Sequence, residues 1–403
     1  MKRLLAALLL CLPLPAEAAI SLKRGIALDI WVTWPDEPQM LEPGMLDVFP
    51  EWRKTVGPEK IALIKQAGFD FVRLPIDPSP FFWKPDARRT AHLIAQTLET
   101  VAELRAAGLK VIVDMHTIPD GGYRKTGTDQ ILAQPKLFKA YGKLVGEIAS
   151  ALKDQDPDAV AFETFNEPTN DCDGGSAQWP AMLKALHEIA RAAAPRLTLV
   201  QQGGCWGGSE GLVRLEPEKF GDDNIIWSFH SYEPFQATHQ GASWTGGPER
   251  YLTGLRYPPE LMTEAERAEA KANAVRKVNS EKLSRARKKD LIAQIDGAYE
   301  RYFTPGATAK QMQAPFDLVA GWAAKNKIPP ERIFLGEFGM IKKDLGPETP
   351  VEDRAGIIAG IRTAAEARGY SWAVWSHGGS FAITNSDESR VFEPPLLKAL
   401  GLP

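Results

Sequence analysis

Cysteine is scarce in this chain: there are three in 403 residues, and one of them, Cys11, lies inside an apolar leader. So few thiols exclude a disulfide-dense scaffold and a cluster of cysteine metal ligands. An excess of charge is missing too. The formal net charge is −3, which leaves no electrostatic case for nucleic acid or an anionic membrane as partner. No H-E-x-x-H pair is present to seed a metal site, and no internal repeat or low-complexity linker interrupts the chain. The apolar run 4–14 is too short to cross a bilayer. Its surroundings explain it: Lys2 and Arg3 come before, and Ala16-Glu17-Ala18 follows, the pattern of a cleaved secretory signal. A lipid anchor on Cys11 would need a small residue ahead of it, and Leu10 stands there. Residues 1–18 are therefore read as a signal peptide, and 19–403 as a secreted or periplasmic protein with no membrane contact after cleavage. Two cysteines remain, Cys172 and Cys205. In an oxidising compartment they pair as a disulfide, the alternative being two buried thiols.

The mature chain alternates strands with helices. Continuous apolar runs at 25–29, 69–74, 110–116, 159–166, 197–202, 225–230, 333–337 and 371–376 read as strands buried on both faces. Between them, Ile61 and Ile64 repeat at helical spacing before Gly68. Leu93, Leu98, Val101 and Leu104 do so before Gly108, and Leu183, Leu186 and Ile189 before Pro195. Eight strands with helical connections predict an α/β fold, the (β/α)8 TIM barrel, as a single domain and a monomer. One segment breaks the rhythm. About a hundred residues separate the sixth and seventh strands, and 236–315 is expected to be a helical insertion over the C-terminal rim. Thr263 and Glu266 have capping-box spacing there. The first half of the insertion, rich in Lys and Arg, is expected in solvent, while Ile292, Ile295, Tyr299 and Tyr302 form a stripe that packs on the body.

In such a barrel the chemistry sits at the C-terminal strand ends. Those ends carry Asp29, Arg73, Asp114, His116, Asn166, Glu167, His230, Tyr232, Glu337 and Trp375. The fourth strand closes in Asn166-Glu167-Pro168 and the seventh in Gly336-Glu337-Phe338-Gly339. Two carboxylates on opposite walls suit glycosidic-bond cleavage, one protonated to serve the leaving oxygen, the other ionised to attack the anomeric carbon. Arg73 and Tyr232 would favour the ionised form of Glu337; the aromatic surroundings of Glu167 would favour its proton. Asp114 reads as a supporting carboxylate. A metal held by His116, His230 and a glutamate is the other use of these donors, but no close-spaced ligand pair supports it, and no cofactor is called for. Trp31, Trp34, Trp179 and Trp206, in loops after strands, and the Phe81-Phe82-Trp83 cluster are each either packing or sugar-stacking groups.

Six motifs in order resemble family 5 of the glycoside hydrolases, cellulase-type retaining enzymes of clan A. They are Gly68-Phe69-Asp70-Phe71-Val72-Arg73-Leu74-Pro75, Val111-Ile112-Val113-Asp114-Met115-His116, Asn166-Glu167-Pro168, His230-Ser231-Tyr232, Gly336-Glu337-Phe338-Gly339 and Trp375. The resemblance implies Glu167 as general acid/base and Glu337 as nucleophile. It also implies Arg73, His116, Asn166, His230, Tyr232 and Trp375 as substrate-binding or supporting groups, with Trp31 and Trp34 added from the first loop. Asn166 would hold the ring 2-hydroxyl, and Trp375 would floor the cleaving subsite. The implied substrate is a β-linked glucan, first a β-1,4-glucan cut internally. Mannan, β-1,3- or β-1,6-glucan and exo action are alternatives, and a barrel that only binds carbohydrate is the reading of another class. Ala27 stands where many members carry Asn, and the long insertion is not part of the common core.

Overall fold

The computed structural model describes residues 20–28, 42, 44–48, 56–82, 86–119, 126–173 and 177–403. The leader 1–18, Asp29, Trp31, Trp34 and Trp83 lie outside the described residues. Eight parallel strands form a closed barrel in sequence order: β1 (Arg24–Ala27), β2 (Phe71–Ile76), β3 (Lys110–Met115), β4 (Val160–Glu163), β5 (Thr198–Gln202), β6 (Ile225–His230), β7 (Ile333–Glu337) and β8 (Ser371–Val374). The longer helices outside it are α1 (Pro58–Gln66), α2 (Ala87–Ala106), α3 (Pro135–Leu152), α4 (Gln178–Ala193), α5 (Glu264–Ser280), α6 (Arg285–Phe303), α7 (Ala307–Lys325), α8 (Val351–Glu366) and α9 (Pro394–Ala399).

Alternation along the strands explains both the core and the site. One set of side chains points outward to the helices: Val72, Leu74, Val111, Val113, Val160, Phe162, Leu199, Trp227, Phe229, Ile333, Leu335, Trp372 and Val374 join the main core. The other set fills the barrel. Phe71, Ile112, Ala161, Val200, Ile226, Phe334 and Ala373 form an apolar plug with Ile20 and Leu22. On β1 the plug has Gly25, where a Cβ would meet the Phe71 ring at 2.3 Å. Two residues on, the inward layer changes character to Ala27, Arg73, Asp114, Glu163, Gln202, Ser228, Gly336 and Trp375. A charged layer thus rests directly on a dry one.

Several expected bounds shift. β2 runs through Pro75 to Ile76 rather than stopping at Leu74. Proline is tolerated there because β1, on that side, has already ended at Ala27. β4 stops at Glu163 instead of Asn166, since the chain beyond leaves the ladder: the Asn166 N–H turns to the Met115 carbonyl at 3.1 Å. β1 and β8 end at Ala27 and Val374, short of the expected 29 and 376. Gly68 and Gly108 end their helices with φ of 95° and 77°, the left-handed stop that glycine accepts most readily. Ile189, expected in the buried stripe of α4, is 38% exposed. It lies across Gly142 and Gly146 of α3, whose missing Cβ atoms leave it room on the outer surface.

Between β6 and β7, α5 begins at the Thr263–Glu266 capping box, with both reciprocal bonds made. α5 buries only Ala274 and Val278, whereas α6 buries Leu291, Ile295, Ala298, Tyr299 and Tyr302. Ile292 is only partly buried. α7 continues past residue 315 and closes on the barrel through Trp322, whose ring meets Trp227 edge-on at 5.8 Å. The loop leading into α5 is tied to the start of α8 by Arg256, which donates two bonds to Asp353 at 2.6 and 3.1 Å.

Candidate active site

Arg73 is the centre of the charged layer. It is fully buried and donates to Glu163 at 2.7 Å, Glu337 at 2.5 Å and Asn166 at 2.8 Å. Its guanidinium also lies 3.0 Å from Asp114. Burial pulls its pKa down, but Asp114, Glu163 and Glu337 together push it well above the ordinary range. One cation therefore touches three carboxylates. Burial raises Asp114 to about 7 despite the arginine, with Glu167 adding to the rise, and raises Glu163 as well. With Asp114 near 7 and Glu163 raised, part of this layer's carboxyl charge is taken up by protons near neutral pH.

Glu337 ends β7 and is almost buried. Its Oε1 takes the Arg73 bond, and its Oε2 accepts the Tyr232 hydroxyl at 2.9 Å. Burial and the Glu337 charge push the Tyr232 phenol well above its usual pKa, so it stays a donor. Glu167 faces Glu337 from four residues beyond β4. It sits at φ 47°, unusual for a side chain other than glycine or asparagine. Its backbone N–H donates to Gln202 Oε1 at 2.5 Å, and its Oε1 lies 2.7 Å from His230 Nδ1. Burial raises Glu167 to about 7, against the pull of His116 and Arg73. Its side chain remains 28% exposed against 6% for Glu337, so Glu167 reaches the solvent side and Glu337 the arginine side.

His230 and His116 flank the pair. Burial holds each near pKa 4 and hence neutral. His116 Nδ1 lies 2.7 Å from Asp114, and the ring stacks on Trp375 at 5.2 Å with planes 5° apart. Asn166 is held by Arg73, and its amide donates to the Thr117 carbonyl at 3.3 Å. One ligand atom each from Glu167, His230 and Glu337 lies within 4.8 Å of the others, the one such grouping among the described residues. These are donors a cation could use. Here Glu167 and His230 are hydrogen-bonded to each other, and Glu337 to Arg73 and Tyr232.

The structure therefore gathers Arg73, His116, Asn166, Glu167, His230, Tyr232, Glu337 and Trp375 into one site. His377 is buried elsewhere, against Arg390 and Phe392. Trp179 is fully buried and donates to the Gln202 carbonyl at 2.8 Å, so it is packing. Trp206 is 47% exposed, with its backbone N–H on the Pro168 carbonyl at 2.8 Å. Phe81 is buried. Cys172 and Cys205 are joined as a disulfide, tying the loop after Glu167 to the loop after β5. Sequence reasoning missed Glu163 and Gln202. Both share the inward face with residues it did select, and counting by twos from Ala161 and Val200 would have found them.

A family model for cellulase (glycosyl hydrolase family 5) matches residues 44–380. Endoglucanase 3 of Fibrobacter succinogenes is 23% identical over 401 residues, 97% of this chain and 54% of that protein. The chain thus spans about half the length of this relative. Endoglucanase C of Acetivibrio thermocellus is 24% identical over 295 residues, covering 69% of this chain and 78% of its own. Among solved structures, endoglucanase Cel5A of Thermotoga maritima superposes with a TM-score of 0.66 at 23% identity, covering 94% of this chain and 96% of its own. With the match to the family model spanning most of its length, this chain belongs to the cellulase family, glycosyl hydrolase family 5, and is a glycoside hydrolase.

Proposed function

We propose that the protein is a secreted endo-β-1,4-glucanase that acts with retention of configuration. The observation that carries this reading is the pair Glu167 and Glu337, with carboxyl oxygens within 4.8 Å in unlike surroundings. Retaining enzymes hold their carboxyl groups roughly 5–5.5 Å apart, and inverting ones leave about 6.5–9.5 Å for a water. In the first step Glu337, steadied by Arg73 and Tyr232, forms a bond to the anomeric carbon. The bond to the leaving oxygen breaks, its electron pair stays on that oxygen, and the Glu167 proton moves there. In the second step Glu167, now a carboxylate, takes a proton from water, the oxygen of that water attacks the same carbon, and Glu337 leaves. Asn166 binds the 2-hydroxyl, Trp375 stacks on the ring, and His116 and His230 line the cleaving subsite. The lone disulfide and the leader 1–18 support export.

The test is reducing-sugar release from β-1,4-, β-1,3- and β-1,6-glucans and mannan, with the first-formed anomer read by proton NMR and Glu337→Gln alongside. The expected result is internal cleavage of β-1,4-glucan, the β-anomer appearing first, and no turnover in the variant. Release of the α-anomer first would overturn retention, and preference for another polymer would overturn the β-1,4 assignment. A folded wild-type protein that binds glucan without cleaving any would favour the binding barrel.

A further inference from the structure

We propose that Gln202 is a positioning residue that fixes the tautomer of His230, so that this histidine presents a single N–H to the acid/base carboxyl. The inference rests on the acid/base reading of Glu167. Its geometry is independent of that reading.

The argument follows the protons. The backbone N–H of Glu167 can only donate, and it donates to Gln202 Oε1 at 2.5 Å. An amide whose oxygen is committed in this way must present its NH2 group at the other end. That group lies 2.7 Å from His230 Nε2, so Nε2 must offer a lone pair. A neutral imidazole with its lone pair on Nε2 carries its proton on Nδ1. Nδ1 lies 2.7 Å from Glu167 Oε1 and 3.7 Å from Glu337 Oε2. The neighbours hem the Gln202 side chain in. The residue is 1% exposed, its backbone carbonyl is tied to the Trp179 indole, and its side-chain amide fills the space where a Cβ on Gly207 would stand, 2.4 Å away. A Cβ on Gly336 would come within 3.0 Å of the His230 ring, so that face is walled as well. Burial, which holds His230 near pKa 4, keeps the ring neutral.

The tautomer decides where the catalytic proton can go. With hydrogen on Nδ1, His230 donates to Glu167, and the carboxyl proton is left on the oxygen that faces the leaving group. As that proton departs, the Nδ1–H bond strengthens onto the new carboxylate. With hydrogen on Nε2 the sense reverses. The Nδ1 lone pair would accept the Glu167 O–H and sequester the proton the reaction needs.

Gln202→Glu tests this, because the introduced carboxylate accepts at both ends and draws hydrogen onto Nε2. The kinetic readout is kcat/KM, which ends at the first irreversible step. For cello-oligosaccharides a fall of about 100-fold is expected, the low end of what general acid catalysis contributes. For a dinitrophenyl β-cellobioside, whose leaving group departs unprotonated, the fall should be less than about 5-fold. Equal losses on both substrates would overturn the proposal, since a merely structural defect does not discriminate by leaving group. The second readout needs no turnover and no variant: nitrogen-15 NMR of the histidine-labelled wild-type protein. It should show a pyrrole-type Nδ1 and a pyridine-type Nε2 for His230, including in a wild-type protein that cleaves no glycan. The reverse pattern, or two pyrrole-type nitrogens at neutral pH, would overturn the assignment.

Discussion

Arg73→Met removes the guanidinium shared by Asp114, Glu163 and Glu337 while keeping much of its apolar volume. Breaking a buried ion pair from one side costs roughly 3–5 kcal/mol, because the stranded charge stays in the interior. Unfolding entropy near 2.1 cal/mol/K per residue gives about 0.8 kcal/mol/K for a chain of this length, so the midpoint should drop by roughly 4–6 °C. The loss must also depend on pH. Burial already raises Asp114 and Glu163 against the pull of Arg73, so without the arginine these two have folded pKa values further above their unfolded ones. Stability is then full below the unfolded values and is lost as pH rises through the folded values. The gap between variant and wild type should therefore widen from pH 4 to pH 8 in calorimetric scans. Adding Asp114→Asn and Glu163→Gln to the variant should recover part of the stability and none of the turnover. A gap independent of pH, or a variant as stable as the wild type, would refute the account of one cation holding three carboxyl groups.

Three further outcomes are expected. On the proposed acid/base reading Glu167 holds a proton for the leaving oxygen, and burial raises its pKa to about 7; kcat/KM should fall as pH rises through that value, and a flat profile up to pH 9 would count against that role. The Cys172–Cys205 bond closes a loop with a sequence separation of 33, so replacing both cysteines by alanine should cost about 3–4 kcal/mol, read as a lowered denaturant midpoint. Trp179→Ala should cost roughly 3–5 kcal/mol of stability, while Trp206→Ala, at an exposed rim position, should leave the midpoint unchanged and raise KM for glucan.

The barrel was legible because strands buried on both faces read as apolar runs, and because glycine stops such as Gly68 and Gly108 separate helix from strand. The two glutamates were legible because each breaks an apolar run at its end. Glu163 was hidden because it sits inside a run, and Gln202 because it ends its run beside a second glutamine, Gln201; in both places only the alternation of faces marks the inward residue. The bounds of β2 misled because Pro75 looks like a terminator, and its tolerance depends on where the neighbouring strand stops. Ile189 misled because helical spacing cannot report that the facing helix carries glycines. Trp179 and Trp206 were equivalent in sequence and differ in burial because Trp179 falls in the first turn of α4 and packs on Phe165, whereas Trp206 lies in the loop after β5.

The backbone at Glu167 has a consequence for how this enzyme can be improved. The proposed acid/base role requires a carboxylate there, yet φ is 47°, a conformation that glycine adopts readily and other L-residues hold at roughly 1–2 kcal/mol. Selection for hardiness and selection for turnover therefore pull in opposite directions at one codon. A library screened only for thermal survival should enrich glycine or asparagine at this position and discard activity with each round, whereas a screen that counts cleaved bonds should never release the glutamate. On the proposed role, function retains the conformational cost of that residue.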